Sequence, residues 1–488
     1  MPSESFTQPL FSVSVRELVT FVCQTGDLGE SRDFVGSDRA LKGIRGHQKV
    51  QRSRPSGYQK EFQISHEVVS VESVLRIHGR IDGLLANDGE VVLEEIKTVT
   101  NSWPRQADPL HWAQAIVYGF MYAHAHALEK LTLQLTYFNL ETEELTEFRQ
   151  PFSLVELANF FKETTEVYFE WVNEHRRWCR LRDEAIKNLP FPFPDYRPGQ
   201  REMAVAVFRT LSQGGRLFVE APTGIGKTIS VIFPALKSLS EGKLDQLFYL
   251  TARTVGRTVA EKAFLDLQQA GAHVRALTLT ARDKLCVRDG QPCDVQTCPL
   301  AIGYYDRCKP AIRDALNQEI ITRPILEAIS QRHHVCPFEL SLDTSLWVDA
   351  VICDYNYVFN PQVYLRRHFA EPDRRYGFLV DEAHNLVDRG REMFSAEIDG
   401  REIDDVKRAI GKSVPRCTKT LSRLNSALRQ FSRLQTGHEA SSDIQERDLF
   451  ASTPLPKDSQ NQREYQFTEQ RGGVLTSHHL PGNQFCRF

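Results

Sequence analysis

An apolar strand that runs into a glycine-rich loop places the strongest constraint on the fold of this chain. The segment LFVEAPTGIGKTIS, residues 217–230, carries Gly224, Gly226, Lys227 and Thr228 in front of a helical stretch. Backbone N–H groups of such a loop bind phosphate, the lysine adds positive charge, and the threonine hydroxyl can ligate Mg²⁺. A glycine turn that opens an ordinary helix is the alternative. The apolar strand before the loop and the helix after it favour a phosphate site.

A second strand carries two carboxylates at its end. In YGFLVDEAHNL, residues 376–386, an apolar run precedes Asp381 and Glu382. In open α/β sheets, ligands bind at the carboxyl ends of the strands. An aspartate there can hold the Mg²⁺ that bridges two phosphates, and a neighbouring glutamate can orient the attacking water. Alone, the residues DEAH would equally suit a solvated helix start. Together with the upstream loop they predict a nucleotide-hydrolysing site.

Composition indicates a soluble globular protein, with 41% hydrophobic and 25% charged residues. The N-terminus lacks the pattern of a signal peptide, and no apolar run approaches the roughly 20 residues that cross a bilayer. We therefore expect a cytoplasmic location, where thiols stay reduced and clustered cysteines favour metal ligation over disulfides. The net charge of −3 does not argue against a nucleic-acid partner, because a basic groove can lie on a neutral protein.

Half of the ten cysteines fall within one short region. The segment KLCVRDGQPCDVQTCPLAIGYYDRC, residues 284–308, holds four of them, and Cys336 follows in HHVCPFELS. Zinc is one candidate, since tetrathiolate sites suit Zn²⁺, although the spacing lacks the paired C-x-x-C units of a zinc ribbon. Free buried cysteines are another interpretation.

The order of these features resembles the XPD/DinG family of superfamily 2 iron–sulfur DNA helicases. An Ala-x-Thr-Gly-x-Gly-Lys-Thr loop, a cysteine-rich insertion and Asp-Glu-Ala-His follow one another, with Ala221 at the usual first glycine. The resemblance covers about 190–435 and implies ATP and Mg²⁺ as cofactors. It implies Lys227, Asp381 and Glu382 as catalytic residues, with Mg²⁺ held by Thr228 and Asp381. The implied ATP-binding residues are Gln200 (from YRPGQ), Thr223, Gly224, Gly226, Lys227 and Thr228.

The same resemblance implies a [4Fe–4S] cluster and DNA as partner. A cluster of this kind needs four thiolates, and the implied ligands are Cys286, Cys293, Cys298 and Cys336. Cys308 is left out because it lies in a predicted helix. The segment YLTARTVGRT implies DNA contacts by Thr251 and Arg253. The implied activity is a 5′-to-3′ helicase that acts on single-stranded DNA or on single/double-strand junctions.

The N-terminal third carries a second set of chemical groups. In RIHGRIDGLLANDGEVVLEEIKTVT, residues 76–100, two apolar runs flank Asp88-Gly89, which is a strong hairpin signal. With this turn, Asp82 lies opposite Glu95, and Lys97 shares their face of the sheet. Carboxylates so placed suit a divalent metal, and the lysine can polarise a water. A solvated ladder of ion pairs is the alternative, and a slip of one residue would destroy the arrangement.

This region resembles the PD-(D/E)xK nuclease core of the RecB type over about 10–180. Asp82, Glu95 and Lys97 match its catalytic core, and the implied metal ion is Mg²⁺ or Mn²⁺. HWAQAIVYGF matches the Gln-x-x-x-Tyr motif through Gln114 and Tyr118, which would contact DNA. His47 stands where the family often has a metal-binding histidine. Gln114 and Tyr118 could instead cap a helix face, and His47 could be structural.

The sequence thus predicts an α/β fold, with a mixed-sheet nuclease-like domain followed by a parallel-sheet ATP-binding domain. The predicted regions are 1–185 nuclease-like, 186–199 linker and adenine-reading segment, 200–390 RecA-like with a cysteine insertion at about 281–340, 391–435 partial arch, and 436–488 disordered tail. Residues 382–488 are too few for an arch and a second RecA-like domain of roughly 150 residues. We therefore expect the chain to be the front part of a nuclease–helicase. The alternatives are a metal-dependent nuclease whose half-motor only binds nucleotide and DNA, and a non-catalytic DNA-binding fragment.

Overall fold

The computed structural model of the chain describes residues 10–28, 37–70, 73–87, 90–222, 224–252, 254–287, 297–369, 374–411, 413–436 and 484–487. Two sheets account for its strands. Within the described ranges, no helix combines the length and apolar character that a membrane span requires. The α/β class expected from the sequence is confirmed, with one mixed and one parallel sheet.

The first sheet is mixed and has six strands. They are β1 (Leu10–Ser14), β2 (Gln59–Val69), β3 (Val74–Asn87), β4 (Glu90–Val99), β5 (Lys130–Asn139) and β6 (Leu145–Ser153). The order is β1-β3-β4-β5-β6, and β2 pairs with the other edge of β3. β1 pairs with residues 74–78 of β3 and β4 pairs with residues 83–87, so the partner on that edge changes in between. This change leaves residues 79–82 outside both ladders.

Four helices accompany the first sheet: α1 (Val15–Cys23), α2 (Ser37–Ser53), α3 (Pro109–Ala125) and α4 (Leu154–Lys187). Reciprocal capping boxes start two of them, Ser14 with Glu17 at α1 and Ser153 with Glu156 at α4. Asp108 caps α3 by accepting the N–H of Leu110. Local sequence therefore fixes where these helices begin.

Helices α1, α3 and α4 bury one face of the first sheet. The shared core includes side chains that are fully or almost fully buried: Leu18, Leu75, Leu93, Leu133, Val117 and Phe161. Val50 of α2 packs on Ile96 and Phe138 in a smaller cluster. Since Leu93 and Ile96 are three residues apart on one strand, they point to opposite faces, and α2 covers the second face. Each such side chain contributes about 1.5–3 kcal/mol when fully buried.

The second sheet has seven strands, and every pair in it is parallel. The strands are β7 (Arg216–Phe218), β8 (Gln246–Thr251), β9 (Ala276–Thr278), β10 (Ile320–Ile321), β11 (Ala350–Asp354), β12 (Tyr376–Val380) and β13 (Gln484–Arg487). Their order is β10-β9-β11-β8-β12-β13-β7. β8 and β12 are buried along their whole length, as expected for central parallel strands covered on both faces.

Helices connect these strands, and some of them form the cysteine-rich insertion. They are α5 (Gln200–Gln213), α6 (Lys227–Ser240), α7 (Thr254–Gln269), α8 (Arg282–Leu285), α9 (Tyr304–Leu316), α10 (Arg323–His333), α11 (Pro337–Thr344), α12 (Asn356–Phe359) and α13 (Arg366–Phe369). The insertion comprises α8 to α11 and the short β10, between β9 and β11. The sequence segments GRLFVEA, QLFYLTA, DAVICDY and YGFLVDEAH contain β7, β8, β11 and β12.

The described residues 388–411 and 413–436 belong to a second unit of the chain. The helices there are α14 (Leu386–Phe394), which begins just before it, α15 (Gly400–Ile410) and α16 (Pro415–Thr436). Asn425 of α16 donates to Asp404 of α15 at 2.6 Å, and Ile403 is buried beside them. These helices cover the segment 391–435, whose assignment as a partial arch stays a prediction.

The expectation of a disordered tail falls mostly on residues 437–483 and 488, which lie outside the described residues. Within 484–487 the structure differs from it, because this segment forms β13 between β12 and β7. The backbone edges of two neighbouring strands satisfy its N–H and C=O groups. A four-residue strand that depends on distant partners leaves no periodic signal in its own sequence.

Candidate functional site

The phosphate loop, residues 221–228, lies at the carboxyl end of β7 and leads into α6. Gly224 and Gly226 have φ of 85° and 81°, a left-handed conformation that glycine adopts without strain. A Cβ on Gly226 would also lie 2.5 Å from the Gln200 amide nitrogen. Gly226 is therefore required twice, by its backbone conformation and by the closeness of Gln200. Thr223 lies outside the described residues.

The two acidic residues after β12 face the phosphate loop. The ammonium group of Lys227 lies 3.8 Å from the Glu382 carboxylate. Asp381 follows the last residue of β12, and its N–H donates to the Leu250 carbonyl at 2.8 Å. Burial, followed by the negative charge of Glu382, raises the pKa of Asp381. The structure thus brings together Lys227, Asp381 and Glu382, as the spacing of the motifs predicts.

A buried tyrosine that sequence reasoning missed lies beneath the acidic strand end. The Tyr249 side chain is 1% exposed, and Tyr249 pairs with Leu379, two residues before Asp381. Burial, with the charge of Asp381 as the next cause, raises its pKa. The residue lies inside the apolar strand QLFYLT, where a tyrosine is expected to be an ordinary core residue. Only the pairing of β8 with β12 shows that Tyr249 lies close to the strand end that carries Asp381.

The predicted adenine-reading residue packs against the loop. Gln200 is 3% exposed at the start of α5, and its side-chain oxygen accepts the Arg197 N–H at 2.8 Å. Arg197 in turn donates to the Gly224 carbonyl. Gln200 therefore holds the segment YRPGQ beside the phosphate loop. Its contact with adenine stays a prediction.

Of the two predicted DNA-contacting residues of the parallel sheet, Thr251 lies near this edge. Thr251 is the last residue of β8 and is 2% exposed. A Cβ on Gly256 would lie 2.1 Å from its hydroxyl and 3.3 Å from an oxygen of Asp381, so α7 approaches closely here. Arg253 lies outside the described residues. The DNA contact of both residues stays a prediction.

The register between β3 and β4 agrees with the sequence argument. Gly83 pairs with Glu94 and Asn87 with Glu90, so paired positions sum to 177 as predicted. The turn residues 88–89 lie outside the described residues. One step beyond the ladder, the Asp82 carboxylate accepts the N–H of Ile96 at 2.7 Å. Asp82 and Glu95 therefore meet where β3 exchanges one partner strand for another.

The carboxylate site, which we define as Asp82, Glu95 and Lys97, is closed by two residues of α3. The Lys97 ammonium donates to Glu95 at 2.6 Å and to the Gln114 side-chain oxygen at 3.0 Å. Tyr118, one turn after Gln114, accepts the Arg80 N–H at 3.2 Å and is 4% exposed. The predicted i, i+4 pair therefore faces the site. Whether either residue contacts DNA stays a prediction.

Burial disfavours the ionised form of Glu95 in this site. Its side chain is almost fully buried, and burial raises its pKa to about 7, with Lys97 opposing the shift and Asp82 adding to it. One carboxylate oxygen, Oε2, is buried without a hydrogen-bond partner among the described residues. Such an oxygen costs free energy unless a proton, a water or a cation satisfies it.

His47 of α2 completes the predicted metal ligands. Its Nδ1 lies 3.5 Å from the Asp82 carboxylate. Burial lowers its pKa, but the hydrogen bond and the charge of Asp82 outweigh this and raise it overall. Imidazole and carboxylate donors with an unsatisfied Glu95 oxygen suit Mg²⁺ or Mn²⁺. In the described ranges, however, no three His, Cys, Asp or Glu side chains are already arranged around a metal position.

A buried polar network on the other face of β4 was also missed. Glu94 is 2% exposed and accepts hydrogen bonds from Arg54, from Tyr58 at 2.6 Å and from Gln134 at 2.9 Å. Arg54 follows α2, so this network ties the helix that carries His47 to the strand that carries Glu95. The Glu94-Glu95 pair in the sequence was the available signal, because one of two adjacent carboxylates on a covered strand must point to each face.

The described cysteines of the insertion take up two kinds of environment. Cys336 precedes α11, and the backbone N–H groups of Glu339 and Phe338 lower the pKa of its thiol against the larger effect of burial, while the charge of Cys298 raises it. Cys286 ends α8 and is partly buried. Cys308 instead lies within α9, where its thiol donates to the Tyr305 carbonyl at 3.6 Å. Burial raises the pKa of Cys336 to about 11 and that of Cys308 to about 12. Cys293 lies outside the described residues.

Comparison with known families matches both parts of the chain. Residues 27–198 match the PD-(D/E)XK nuclease superfamily, and residues 251–403 match the DEAD_2 family. The chain is thus similar to the PD-(D/E)XK nuclease superfamily over residues 27–198 and to the DEAD_2 family over residues 251–403. The carboxylate site lies in the first match, and Asp381 and Glu382 lie in the second. The resemblances drawn from the sequence motifs are therefore confirmed.

Curated relatives match just under half of the chain. The general transcription and DNA repair factor IIH helicase subunit XPD of Dictyostelium discoideum is 24% identical over 251 residues, covering 46% of this chain and 32% of the relative. The regulator of telomere elongation helicase 1 homolog of Drosophila yakuba is 24% identical over 280 residues, covering 45% of this chain and 28% of the relative. The chain thus spans about a third of the length of these relatives.

A solved XPD helicase structure was also found as a neighbour. It is 19% identical, covers 49% of this chain and 41% of its own, and has a TM-score of 0.33.

Proposed function

We propose that this chain is part of an ATP-dependent DNA helicase that carries a metal-dependent nuclease domain and acts in DNA repair or replication. One observation supports it above others: the Lys227 ammonium lies 3.8 Å from the Glu382 carboxylate, beside Asp381, at the carboxyl edge of the parallel sheet, where open α/β sheets bind their ligands. The 5′-to-3′ polarity and the substrate, single-stranded DNA or a single/double-strand junction, follow from the family resemblance.

Each residue of the nucleotide site has a role that its position supports. The loop N–H groups and Lys227 bind phosphate, and Glu382 orients the attacking water. Thr228 and Asp381 would hold Mg²⁺, whose charge offsets that of the β- and γ-phosphates when it is bound. The ion pair of Lys227 with Glu382 then exchanges for contacts with nucleotide and water.

The carboxylate site favours a second activity, DNA cleavage. Asp82, Glu95 and His47 would hold Mg²⁺ or Mn²⁺, and the buried Glu95 oxygen without a partner is the observation that favours a cation there. A bound ion makes a water more acidic and stabilises charge on the phosphate. Lys97 would orient that water or stabilise the developing charge, and Gln114 fixes the ammonium group of Lys97.

The insertion is proposed to hold a [4Fe–4S] cluster through Cys286, Cys293, Cys298 and Cys336. Thiolate sulfur is the ligand that such clusters require. Burial raises the pKa of the Cys336 thiol, but the N–H groups of Glu339 and Phe338 oppose this and favour the thiolate. The Cys308 thiol instead donates a hydrogen bond to the Tyr305 carbonyl of its own helix.

Nucleotide binding tests the motor. Lys227→Ala is expected to weaken ADP binding in calorimetry and to abolish any DNA-stimulated ATP hydrolysis. Lys243→Ala removes an exposed lysine from the same domain and is the matched control. Equal binding by both variants and the unchanged chain would overturn the assignment of the phosphate loop.

DNA cleavage tests the second site. End-labelled single-stranded DNA and a junction substrate are incubated with Mn²⁺ or Mg²⁺, and cleavage is expected to disappear in Lys97→Ala but not in Lys130→Ala, an exposed lysine on β5. Cleavage that persists in Lys97→Ala would contradict the proposed site. DNA binding without cleavage or hydrolysis by the unchanged chain would favour the non-catalytic fragment.

A further inference from the structure

The strand that carries Asp82 departs from regular pairing at that residue. On one edge of β3, β1 pairs only as far as residue 78 and β4 only from residue 83 onward. On the other edge, the ladder with β2 continues on both sides but does not pair Glu61 with Asp82. Glu61 has φ of 57°, a left-handed conformation that is unfavourable for a residue with a side chain. Backbone strain of this kind is concentrated at functional sites, and here it lies beside a predicted metal ligand.

Gln51 of α2 holds the backbone at this irregular position. Its Nε2 donates to the Asp82 carbonyl at 3.0 Å and to a carboxylate oxygen of Glu61 at 2.7 Å. A carbonyl and an ionised carboxylate only accept, so the amide group must turn its nitrogen toward both of them. The two hydrogens of the amide are thereby used, one for each acceptor.

The same residue ties two predicted metal ligands together. Gln51 follows His47 by four residues, which puts both side chains on one face of α2. The His47 Nδ1 lies 3.5 Å from the Asp82 carboxylate. Helix α2 therefore contacts Asp82 twice, at its carboxylate through His47 and at its carbonyl through Gln51. Two such contacts, one turn apart, fix both the position and the rotation of the helix against β3.

Glu61, the second acceptor of Gln51, is itself held from the other side. Its other carboxylate oxygen lies 2.6 Å from the Arg80 Nε. The Arg80 N–H in turn donates to the Tyr118 hydroxyl at 3.2 Å. These contacts run from α2 through β2 and β3 to α3, so they connect the two helices whose side chains face the carboxylate site.

We propose that Gln51 is a positioning residue for the divalent cation of the carboxylate site. It acts through Asp82 and His47, because it fixes the backbone of the one relative to the helix of the other. The proposal rests on the proposed metal-dependent cleavage and adds a residue that the motifs do not contain. Groups that orient the ligands of a metal typically change its affinity by about 10- to 100-fold when they are removed.

Gln51→Met removes both hydrogen bonds and keeps a side chain of similar length. Mn²⁺ binding to the full chain without nucleotide is measured by calorimetry, at a temperature where circular dichroism shows each variant folded. We expect Gln51→Met to raise the Mn²⁺ dissociation constant about tenfold. Gln48→Met makes the same change at an exposed glutamine of α2 and is expected to leave the dissociation constant as it is. Equal dissociation constants for Gln51→Met and the unchanged chain overturn the proposal and leave the proposed metal site intact.

Asp82→Asn shows whether the measured Mn²⁺ lies in the carboxylate site. This variant is expected to lose the binding, because it removes a charged ligand. Binding that survives in Asp82→Asn, or no Mn²⁺ binding by the unchanged chain, would overturn the proposed metal site together with this inference.

Glu61→Gly separates a positioning role from a merely structural one. Glycine adopts the left-handed conformation without strain, so this variant is expected to keep the melting temperature of the unchanged chain in EDTA. Gln51 nevertheless loses one of its two acceptors, and the Mn²⁺ dissociation constant is expected to rise toward that of Gln51→Met. A lower melting temperature in EDTA with an unchanged Mn²⁺ dissociation constant would show that Glu61 and Gln51 only stabilise the fold, and the proposal would be wrong.

Discussion

Arg182 and Asp349 form a buried ion pair that fastens the last helix of the nuclease-like domain to the parallel sheet. The Arg182 Nη1 lies 2.6 Å from the Asp349 Oδ1, and the Asp349 side chain is completely buried. Trp178 and the N–H of Arg275 both donate to the other carboxylate oxygen at 2.8 Å. Both carboxylate oxygens of Asp349 therefore accept hydrogen bonds. α4 therefore couples the two sheets through a fully satisfied charge.

Asp349→Ala is expected to lower the free energy of unfolding by about 3–5 kcal/mol, because it removes the buried partner of Arg182 and leaves only the partly exposed Asp183. Urea denaturation followed by circular dichroism measures this. Glu327→Ala breaks the exposed pair of Arg323 and Glu327 and should cost at most about 0.5 kcal/mol. Similar losses in the two variants would contradict the buried character of the Asp349 pair.

Acidification is expected to weaken the same region through His175. This residue of α4 packs against Trp347, its Nδ1 has no hydrogen-bond partner among the described residues, and burial lowers its pKa to about 4, with Asp349 opposing. Since the folded pKa is below the unfolded value, the neutral ring contributes stability above about pH 6.5. That contribution is lost as the pH falls toward 4. By pH 5 the loss in the free energy of unfolding amounts to about 2 kcal/mol.

The free energy of unfolding at pH 8 and at pH 5 tests this dependence. His175→Phe should reduce the difference between the two values, because no imidazole then has to become charged in the core. His126→Gln alters an exposed imidazole and is expected to leave the difference as it is. An unchanged difference in His175→Phe would show that other groups cause the acid sensitivity.

Gly79 is expected to tolerate no side chain. A Cβ at this position would lie 2.4 Å from the Tyr118 hydroxyl and 2.7 Å from its ring. Gly79→Ala should therefore displace Tyr118 from the carboxylate site and cost about 1–3 kcal/mol, the usual range for overpacking. Gly390 in α14 has no atom within 4 Å of the added Cβ, and Gly390→Ala should gain up to about 1 kcal/mol from helix propensity. Melting temperatures of the two variants separate steric from conformational effects.

Measuring the metal content of variants is expected to distinguish the cysteines of the insertion that bind the cluster from Cys308, which does not. After anaerobic purification, Cys336→Ser should lose iron and acid-labile sulfide together with the broad absorption near 400 nm typical of such clusters. Cys308→Ser should retain all three, because this thiol bonds to its own helix. One zinc per chain without sulfide would replace the cluster by a structural zinc site. Equal iron loss in both variants would contradict the choice of ligands.

The sequence by itself determined the fold class, the two sites and the register that joins Asp82 to Glu95. These follow from features that act locally: the glycine conformations of the phosphate loop, the capping of helices by neighbouring residues, and the period of two along a hairpin. The turn chemistry alone set which residues of β3 and β4 face each other. Family comparison then confirmed both resemblances, over residues 27–198 and 251–403.

Tertiary structure alone decided the contacts between residues far apart in the chain. Tyr249 looks like an ordinary core residue until β12 is placed beside β8, and Glu94 until α2 is placed over β4. Asp349 lies 167 positions from Arg182, and the short β13 pairs with strands more than a hundred residues away. Such contacts depend on which strands become neighbours and on which faces the helices cover. No periodicity or turn signal in the local sequence carries that information, because the free energy of these contacts appears only after both partners are buried.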